Sequence, residues 1–321
     1  MSEPIISIRG LRVVYHALRG VVKAVDNVSL DVMKGELIGV VGESGSGKTT
    51  LAMAILRLLP PKVARIVGGH ILFDGLDLAT AREEELRKVR WSRISYVPQA
   101  ALNALNPTLK IIDHFMETAK SHGIRDRKWV VERASELLET LRLEPERVLN
   151  SYPHELSGGM KQRVLIALSM LLNPEVIILD EPTTALDVLT QYFILNLLRA
   201  IKEKYNMTMM FITHDIAVIA GIGDRVAVFY AGKVMEIGDV YTIFKRPAHP
   251  YTRALIKSIP TLTGNIEEMK PIPGTPPDLI NPPPGCRFHP RCPYAMEKCK
   301  RVEPPMVELK PGHLAACWLL A

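Results

Sequence analysis

Residues 37–50 read LIGVVGESGSGKTT, and this stretch decides the fold. An apolar run at residues 37–41 comes first, a glycine-rich segment follows at 42–49, and residues 50–59 have a helix-like pattern. A strand, a glycine-rich loop and a helix in this order form the usual setting of a phosphate-binding loop. Glycines let backbone N–H groups approach phosphate oxygens, and the helix N-terminus adds partial positive charge. The segment predicts a nucleoside-triphosphate site.

Two residues of this loop have individual roles in the prediction. We expect Lys48 to reach the β- and γ-phosphates and the hydroxyl of Thr49 to bind Mg²⁺. The other residues that we expect to contact the nucleotide are small ones in and just after the loop: Gly42, Ser44, Gly45, Ser46, Gly47 and Thr50.

Composition and charge narrow the class of protein. The chain has 321 residues, of which 47% are hydrophobic and 23% charged, as in ordinary globular proteins. No apolar run approaches the roughly 18 residues of a membrane span, and the N-terminus does not resemble a secretory signal, so we expect a cytoplasmic protein. The net charge is +6. Because the charges are scattered, they favour weak attraction to an anionic membrane surface over a nucleic-acid partner.

The hydrophobic pattern predicts an α/β fold. Residues 5–14 and 21–32 alternate as antiparallel strands do, and residues 113–142 have helical spacing. Two buried strands are predicted at residues 176–179 and 207–213, with helical patterns between them. Apolar strands that alternate with helices indicate a parallel sheet covered on both faces.

Three polar positions follow predicted strands. Asp180 and Glu181 end the strand at 176–179; we expect Asp180 beside the metal held by Thr49, and Glu181 to orient and deprotonate the attacking water. His214 follows the next strand and could donate a hydrogen bond to the γ-phosphate. Gln99 could sense metal and water through its amide, although chemistry alone leaves its role open.

A second glycine motif, LSGGMKQR, lies at residues 156–163. Ser157 is a good N-cap, Gly158 and Gly159 leave the backbone open, and an apolar helix is predicted at residues 160–172. The result is a second anion site without a lysine. Since one nucleotide needs one phosphate loop, the economical explanation is that this motif closes on the γ-phosphate of a nucleotide held by another subunit.

The order of these motifs resembles that of an ABC-transporter ATPase over nearly the whole chain. The resemblance implies a RecA-like core with an antiparallel β-subdomain in residues 1–245, a helical subdomain at about 95–160 and a C-terminal extension at 246–321. It also implies that Tyr15 stacks on adenine, that Asp187 in the TALD loop at 184–187 contacts the opposite site, and that Gln99 joins Thr49 and Asp180 around Mg²⁺.

The tail resembles the C-terminal extension of oligopeptide/dipeptide importer ATPases. The resemblance is carried by HPYT at 249–252, PIPG at 271–274 and GCRFHPRCP at 285–293, with Met160 and NALNP at 103–107 in agreement. It implies an ATP-hydrolysing subunit that energises import of peptides or, alternatively, oligosaccharides. The implied partners are a second, different ATPase subunit, two transmembrane permease subunits and, indirectly, an extracellular binding protein. The chain would then lie peripherally at the cytoplasmic face of the membrane.

A rival interpretation is an ABC ATPase without transport, acting in DNA repair or on ribosomes. Such proteins usually carry tandem cassettes, long coiled coils or zinc insertions inside the cassette. This chain has one cassette and none of those insertions, so the sequence favours transport.

The four cysteines all lie in the last 36 residues, with spacings of five, six and seventeen intervening residues: Cys286, Cys292, Cys299 and Cys317. A cytoplasmic setting disfavours disulfides. The spacing itself leaves zinc, for which His289 and His313 could substitute as ligands, and a [4Fe–4S] cluster equally open. Resemblance to cluster binders among the dipeptide importers favours [4Fe–4S], in a structural role.

Overall fold

The computed structural model describes residues 3–99, 104–184, 186–259 and 272–321. Three residues of the predicted motifs, Asn103, Ala185 and Pro271, lie outside the described residues. The strands are β1 Pro4–Ala17, β2 Gly20–Met33, β3 Leu37–Val41, β4 Ala64–Phe73, β5 Leu76–Asp77, β6 Ile94–Val97, β7 Val176–Asp180, β8 Thr208–Thr213, β9 Arg225–Tyr230, β10 Lys233–Asp239, β11 Met306–Lys310 and β12 His313–Ala316. The α-helices are α1 Lys48–Ile55, α2 Glu83–Val89, α3 Ile111–Ser121, α4 Arg127–Thr140, α5 Pro145–Asn150, α6 Gly158–Ser169, α7 Val188–Tyr205, α8 Ile216–Ile222, α9 Val240–Lys245, α10 Pro250–Lys257 and α11 Glu297–Arg301.

The chain divides into two units, one made of residues 1–81 with 212–321 and the other of residues 82–211. The first unit contains an antiparallel sheet of order β2-β1-β4-β5. This confirms the two antiparallel strands predicted before the phosphate loop. Alternate residues of β1 form the buried face of that sheet, with Ile6, Ile8, Leu11 and Val13 at 0% exposure.

A second run of strands in the first unit has the order β11-β12-β10-β9-β3. Strands β3 and β9 are parallel, and all five residues of β3 are buried. Strand β12 pairs antiparallel with β10, with Leu314 opposite Ile237. The C-terminal extension therefore continues the sheet of the unit that carries the phosphate loop.

The second unit holds β6, β7 and the first four residues of β8, in the order β8-β7-β6, and β6 and β7 are parallel. Helices α3 and α4 occupy the region predicted to be helical, and side chains such as Phe115, Leu137 and Leu138 are fully buried there. The carboxylate of Asp126 caps α4 by accepting the N–H groups of Lys128 and Trp129. The parallel strands and covering helices confirm the predicted α/β class.

Within the four described ranges, no helix combines the length and the apolar character needed to cross a bilayer.

Candidate nucleotide site

The phosphate-binding loop, residues 42–49, follows β3 and ends in the first turn of α1. Gly42 and Gly47 have φ angles of 154° and 103°. A Cβ atom at Gly42 would lie 2.0 Å from the carbonyl oxygen of Phe229, and one at Gly47 would lie 2.2 Å from that of Ala24. Both positions therefore require glycine, because neighbouring backbone occupies the space of a side chain.

The side chain of Lys48 is folded into this loop and is 5% exposed. Its Nζ donates hydrogen bonds to the carbonyl oxygens of Gly42 at 2.7 Å and Glu43 at 3.0 Å, and it lies 3.3 Å from Oγ of Ser46. These contacts hold the ammonium charge inside the loop, which is where the motif binds phosphate.

Two further predicted residues belong to the same unit. The hydroxyl of Tyr15 lies 3.4 Å from Oγ1 of Thr50, so the residue expected to stack on adenine is in contact with the first turn of α1. His214 directly follows β8 and is exposed. Its neighbour Asp215 caps α8 by accepting the N–H of Ala217 at 2.9 Å.

The second unit carries the predicted acidic pair at the end of β7. Asp180 is 0% exposed, and Oδ2 accepts a hydrogen bond of 2.9 Å from the hydroxyl of Tyr96 on the neighbouring strand β6. Glu181 has a φ of 51°, which is the left-handed region that residues other than glycine rarely adopt. Its carboxylate accepts a hydrogen bond of 2.6 Å from the hydroxyl of Thr184. Backbone and hydroxyl together fix the direction of this carboxylate.

Gln99 lies two residues after β6, in the same unit, and is exposed. The structure thus places Gln99 just after β6 and Asp180 at the end of β7, the parallel strand beside it. The carboxyl ends of such strands meet at one sheet edge, where ligands of α/β proteins bind.

The LSGG motif also has the predicted local structure. Ser157 caps α6, and its Oγ accepts the N–H of Met160 at 3.3 Å. Asp187 caps α7 and accepts two hydrogen bonds from Thr190, at 3.0 Å from the N–H and 2.6 Å from the hydroxyl. These hydrogen bonds hold the pKa of Asp187 below its ordinary value. The same Thr190 leaves no room for a side chain at Gly159, because a Cβ there would lie 2.6 Å from Cγ2.

The four cysteines are free thiols and line one small cavity, together with His249, Phe288, His289, Tyr294 and Trp318. Burial raises the pKa of the Cys286 thiol to about 12. Among the residues that the structure describes, no group of three or more His, Cys, Asp or Glu side chains is placed to hold a metal ion. The structure therefore shows four thiols around a shared cavity, and the expected zinc or iron–sulfur site stays a prediction.

Two family models match this chain. The one described as ABC transporter matches residues 25–184, and the one described as oligopeptide/dipeptide transporter, C-terminal region, matches residues 235–299. The chain is 53% identical to the dipeptide transport ATP-binding protein DppD of Caldanaerobacter subterraneus subsp. tengcongensis, over 98% of this chain and 97% of that protein. It is 42% identical to the oligopeptide transport ATP-binding protein OppD of Bacillus subtilis, over 98% of this chain and 89% of that protein.

A solved structure, the dimeric structure of the bacterial ABC transporter cassette MJ0796, superposes with a TM-score of 0.65 at 31% identity. The match covers 73% of this chain and 98% of that one. The chain belongs to the ABC transporter family, and it is an ATPase. This confirms the family, the fold class and the enzymatic activity predicted from the motifs.

Sequence patterns did not single out three of the contacts in the site. The hydroxyl groups of Tyr96, Thr184 and Thr190 hold Asp180, Glu181 and Asp187, respectively. The last two bonds join residues three apart, and this spacing after an acidic residue is a usable local signal. Tyr96 and Asp180 are 84 residues apart, so only the pairing of β6 with β7 reveals their contact.

Proposed function

We propose that this chain hydrolyses ATP to energise an ABC importer of oligopeptides or dipeptides. The observation that carries the proposal is the match of the tail, residues 235–299, to the C-terminal region of oligopeptide/dipeptide transporters, joined to a complete ATPase motif set. The named relatives, a dipeptide and an oligopeptide transport protein, support peptides over the oligosaccharide alternative.

In the proposed site, the phosphate loop holds ATP through Lys48, and Tyr15 stacks on the adenine. Thr49, Asp180 and Gln99 would hold Mg²⁺, which neutralises developing charge on the phosphates when bound. Buried Asp180, held by the Tyr96 hydroxyl, is a suitable oxygen ligand.

In this proposal two residues carry out hydrolysis, one by activating the water and the other by contacting the γ-phosphate. Glu181 orients and deprotonates the attacking water, a role that suits a carboxylate whose direction is fixed by the Thr184 hydroxyl. His214, exposed after β8, donates a hydrogen bond to the γ-phosphate.

The proposed active form is a dimer in which each LSGG motif covers the nucleotide of the other subunit. The α6 N-terminus, with Ser157, Gly158 and Gly159, supplies N–H groups and partial positive charge without a lysine. Asp187 belongs to the loop that contacts the opposite site. The dimeric state of the similar cassette MJ0796 supports this arrangement. ATP-driven closure would then shift the transporter between inward- and outward-facing states.

The proposed partners are a second, different ATPase subunit, two transmembrane permease subunits and, indirectly, an extracellular binding protein. In that complex the chain lies peripherally at the cytoplasmic face of the membrane. Affinity purification of the tagged chain from its native membrane in mild detergent, followed by mass spectrometry, tests this. Two multi-span subunits and a second cassette are expected; recovery of the chain alone, with ribosomes or with DNA would refute the transport role.

For the tail we propose a structural [4Fe–4S] cluster held by Cys286, Cys292, Cys299 and Cys317. Four thiols that line one cavity fit this donor set, and each thiolate of such a cluster binds its own iron, so the thiols need not converge on a single ion. A zinc site requires that convergence. Iron, sulfide and zinc analysis of the chain purified without oxygen distinguishes the two; zinc in place of iron would refute the cluster.

Uptake of labelled peptides and oligosaccharides by membrane vesicles that contain the complete complex tests the cargo. Peptide uptake that depends on ATP is expected. ATP-dependent uptake of oligosaccharides alone would refute the peptide assignment and leave the ATPase assignment intact.

A further inference from the structure

We propose that Arg291 is a positioning residue for the phosphate-binding loop, that it acts through Glu43, and that it thereby couples the cysteine-lined tail to nucleotide binding. The inference rests on the ATP-binding role of that loop. Arg291 and Glu43 are 248 residues apart in the chain but belong to the same unit.

Glu43 is the second residue of the phosphate loop and is held from three sides. Its carboxylate accepts two hydrogen bonds from the guanidinium of Arg291, from Nη1 at 2.7 Å and from Nη2 at 3.0 Å. Its N–H donates to the hydroxyl of Tyr251 at 3.1 Å, and its carbonyl oxygen accepts from Lys48 Nζ at 3.0 Å. The phosphate-binding lysine is thus separated from the tail by a single residue.

The side chain of Arg291 is 5% exposed, and its guanidinium is held in one orientation. Besides the two bonds to Glu43, Nε donates to the carbonyl oxygen of Pro273 at 2.7 Å. Nη2 donates to that of Ile272 at 3.3 Å, and Nη1 donates to the hydroxyl of Tyr230 at 3.3 Å. A guanidinium has five N–H donors, and these five bonds use all of them. Because every donor is used, the guanidinium of Arg291 cannot rotate or shift without losing hydrogen bonds.

Arg291 also belongs to the segment between two of the cysteines that line the cavity. It ends a single turn of 3-10 helix, at His289–Arg291, and Cys292 follows directly. Phe288, in the same segment, packs its ring against those of Tyr230 and Tyr251, with centroids 5.3 Å apart in both cases. Since Tyr251 accepts the N–H of Glu43, both supports of that residue depend on the fold of this segment.

The charges of Arg291 and Glu43 indicate how this ion pair affects ATP binding. A carboxylate in a phosphate loop repels the phosphates unless a cation neutralises it, and buried Arg291 supplies that cation. Removal of the guanidinium leaves the carboxylate of Glu43 unpaired beside the phosphate site. Removal of both charged groups eliminates that repulsion. The double variant should therefore bind ATP better than Arg291→Gln alone, a result that loss of tail structure would not produce.

The test is the Kd of ATP with Mg²⁺, measured by titration calorimetry on the full chain. We expect Arg291→Gln to raise the Kd about tenfold, and Arg291→Gln with Glu43→Gln to recover part of that loss. Lys300→Gln is the matched control, because Lys300 forms an exposed ion pair with Glu297 in the same tail. The Kd of ATP for this variant should equal that of the wild type.

Two results would overturn the proposal: a Kd of Arg291→Gln within about twofold of the wild type, or a double variant that binds ATP no more tightly than Arg291→Gln alone. If Arg291→Gln does not fold, Tyr251→Phe decides, since it removes only the hydroxyl that accepts the Glu43 N–H. Its Kd should rise about threefold, and an unchanged value refutes the coupling. A wild-type chain that fails to bind ATP would refute the nucleotide site itself.

Discussion

Lowering the pH from 7 to 5 is expected to destabilise the first unit through one buried side chain, His249. The residue is 1% exposed, and Nδ1 accepts a hydrogen bond of 3.0 Å from the N–H of Tyr251, which caps α10. Desolvation lowers the pKa of His249 to about 3, and the nearby charge of Arg253 acts in the same direction. A proton on Nδ1 would also abolish the cap.

The size of the effect follows from linkage. In the unfolded chain histidine has its ordinary pKa of about 6.5, so below that pH the unfolded state binds a proton that the folded state refuses. Stability therefore falls as the pH falls from about 6.5 towards the folded pKa of about 3. Each pH unit in that window costs about 1.4 kcal/mol, which gives about 2 kcal/mol between pH 7 and pH 5.

Urea unfolding of the full chain at pH 7 and pH 5 measures this difference, with His249→Asn as the control. Asparagine keeps a side-chain acceptor at the cap but does not titrate, and the other titrating groups are common to both proteins. The wild type should lose about 2 kcal/mol more than the variant between the two pH values. Equal losses in the two proteins would refute the reasoning.

Three further predictions concern the nucleotide site. Glu181→Gln is expected to lower ATP turnover by the assembled transporter at least about a hundredfold while ATP stays bound in a closed dimer; unchanged turnover would remove Glu181 from the role of base. Gly47→Ala is expected to abolish ATP binding in calorimetry, since the new Cβ would lie 2.2 Å from a backbone oxygen. Gly75→Ala is its control, with a similar positive φ of 77° but nothing within 4 Å, and equal losses of ATP binding would contradict the steric argument. Tyr96→Phe removes the 2.9 Å bond to Asp180 and should raise the Mg²⁺ concentration for half-maximal turnover about threefold to tenfold; an unaltered Mg²⁺ requirement would contradict a role in holding Asp180.

The motifs could be located from sequence because their geometry is local. Ser157 and Asp187 cap helices through contacts with residues three positions ahead, so the chemistry of the cap is visible in the spacing. The glycines of the phosphate loop are equally local in one respect, since their positive φ angles are properties of single residues. The reason that Gly42 and Gly47 tolerate no side chain lies elsewhere, in the carbonyl oxygens of distant strands.

Prolines are dense in the tail, a composition that favours irregular chain, and residues 272–288 contain no helix or strand. The structure adds a feature that composition does not contain: β12 extends the sheet of the first unit through β10. Glu236, fully buried on β10, accepts hydrogen bonds from the N–H groups of Ala248 and His249 and lies 2.8 Å from Nε2 of His313. One carboxylate thus joins three separate segments of the chain.

The sequence by itself determined the family, the ATPase motifs and the class of fold, because these depend on residue types at fixed short spacings. Only the tertiary structure decided that Arg291 donates hydrogen bonds to Glu43 and that the four cysteines line one cavity. Contacts between residues 248 positions apart depend on how strands and segments pack, and packing is governed by burial and shape over the whole unit. No spacing along the chain encodes such a pair, which is why the link between tail and phosphate loop became visible only in the folded protein.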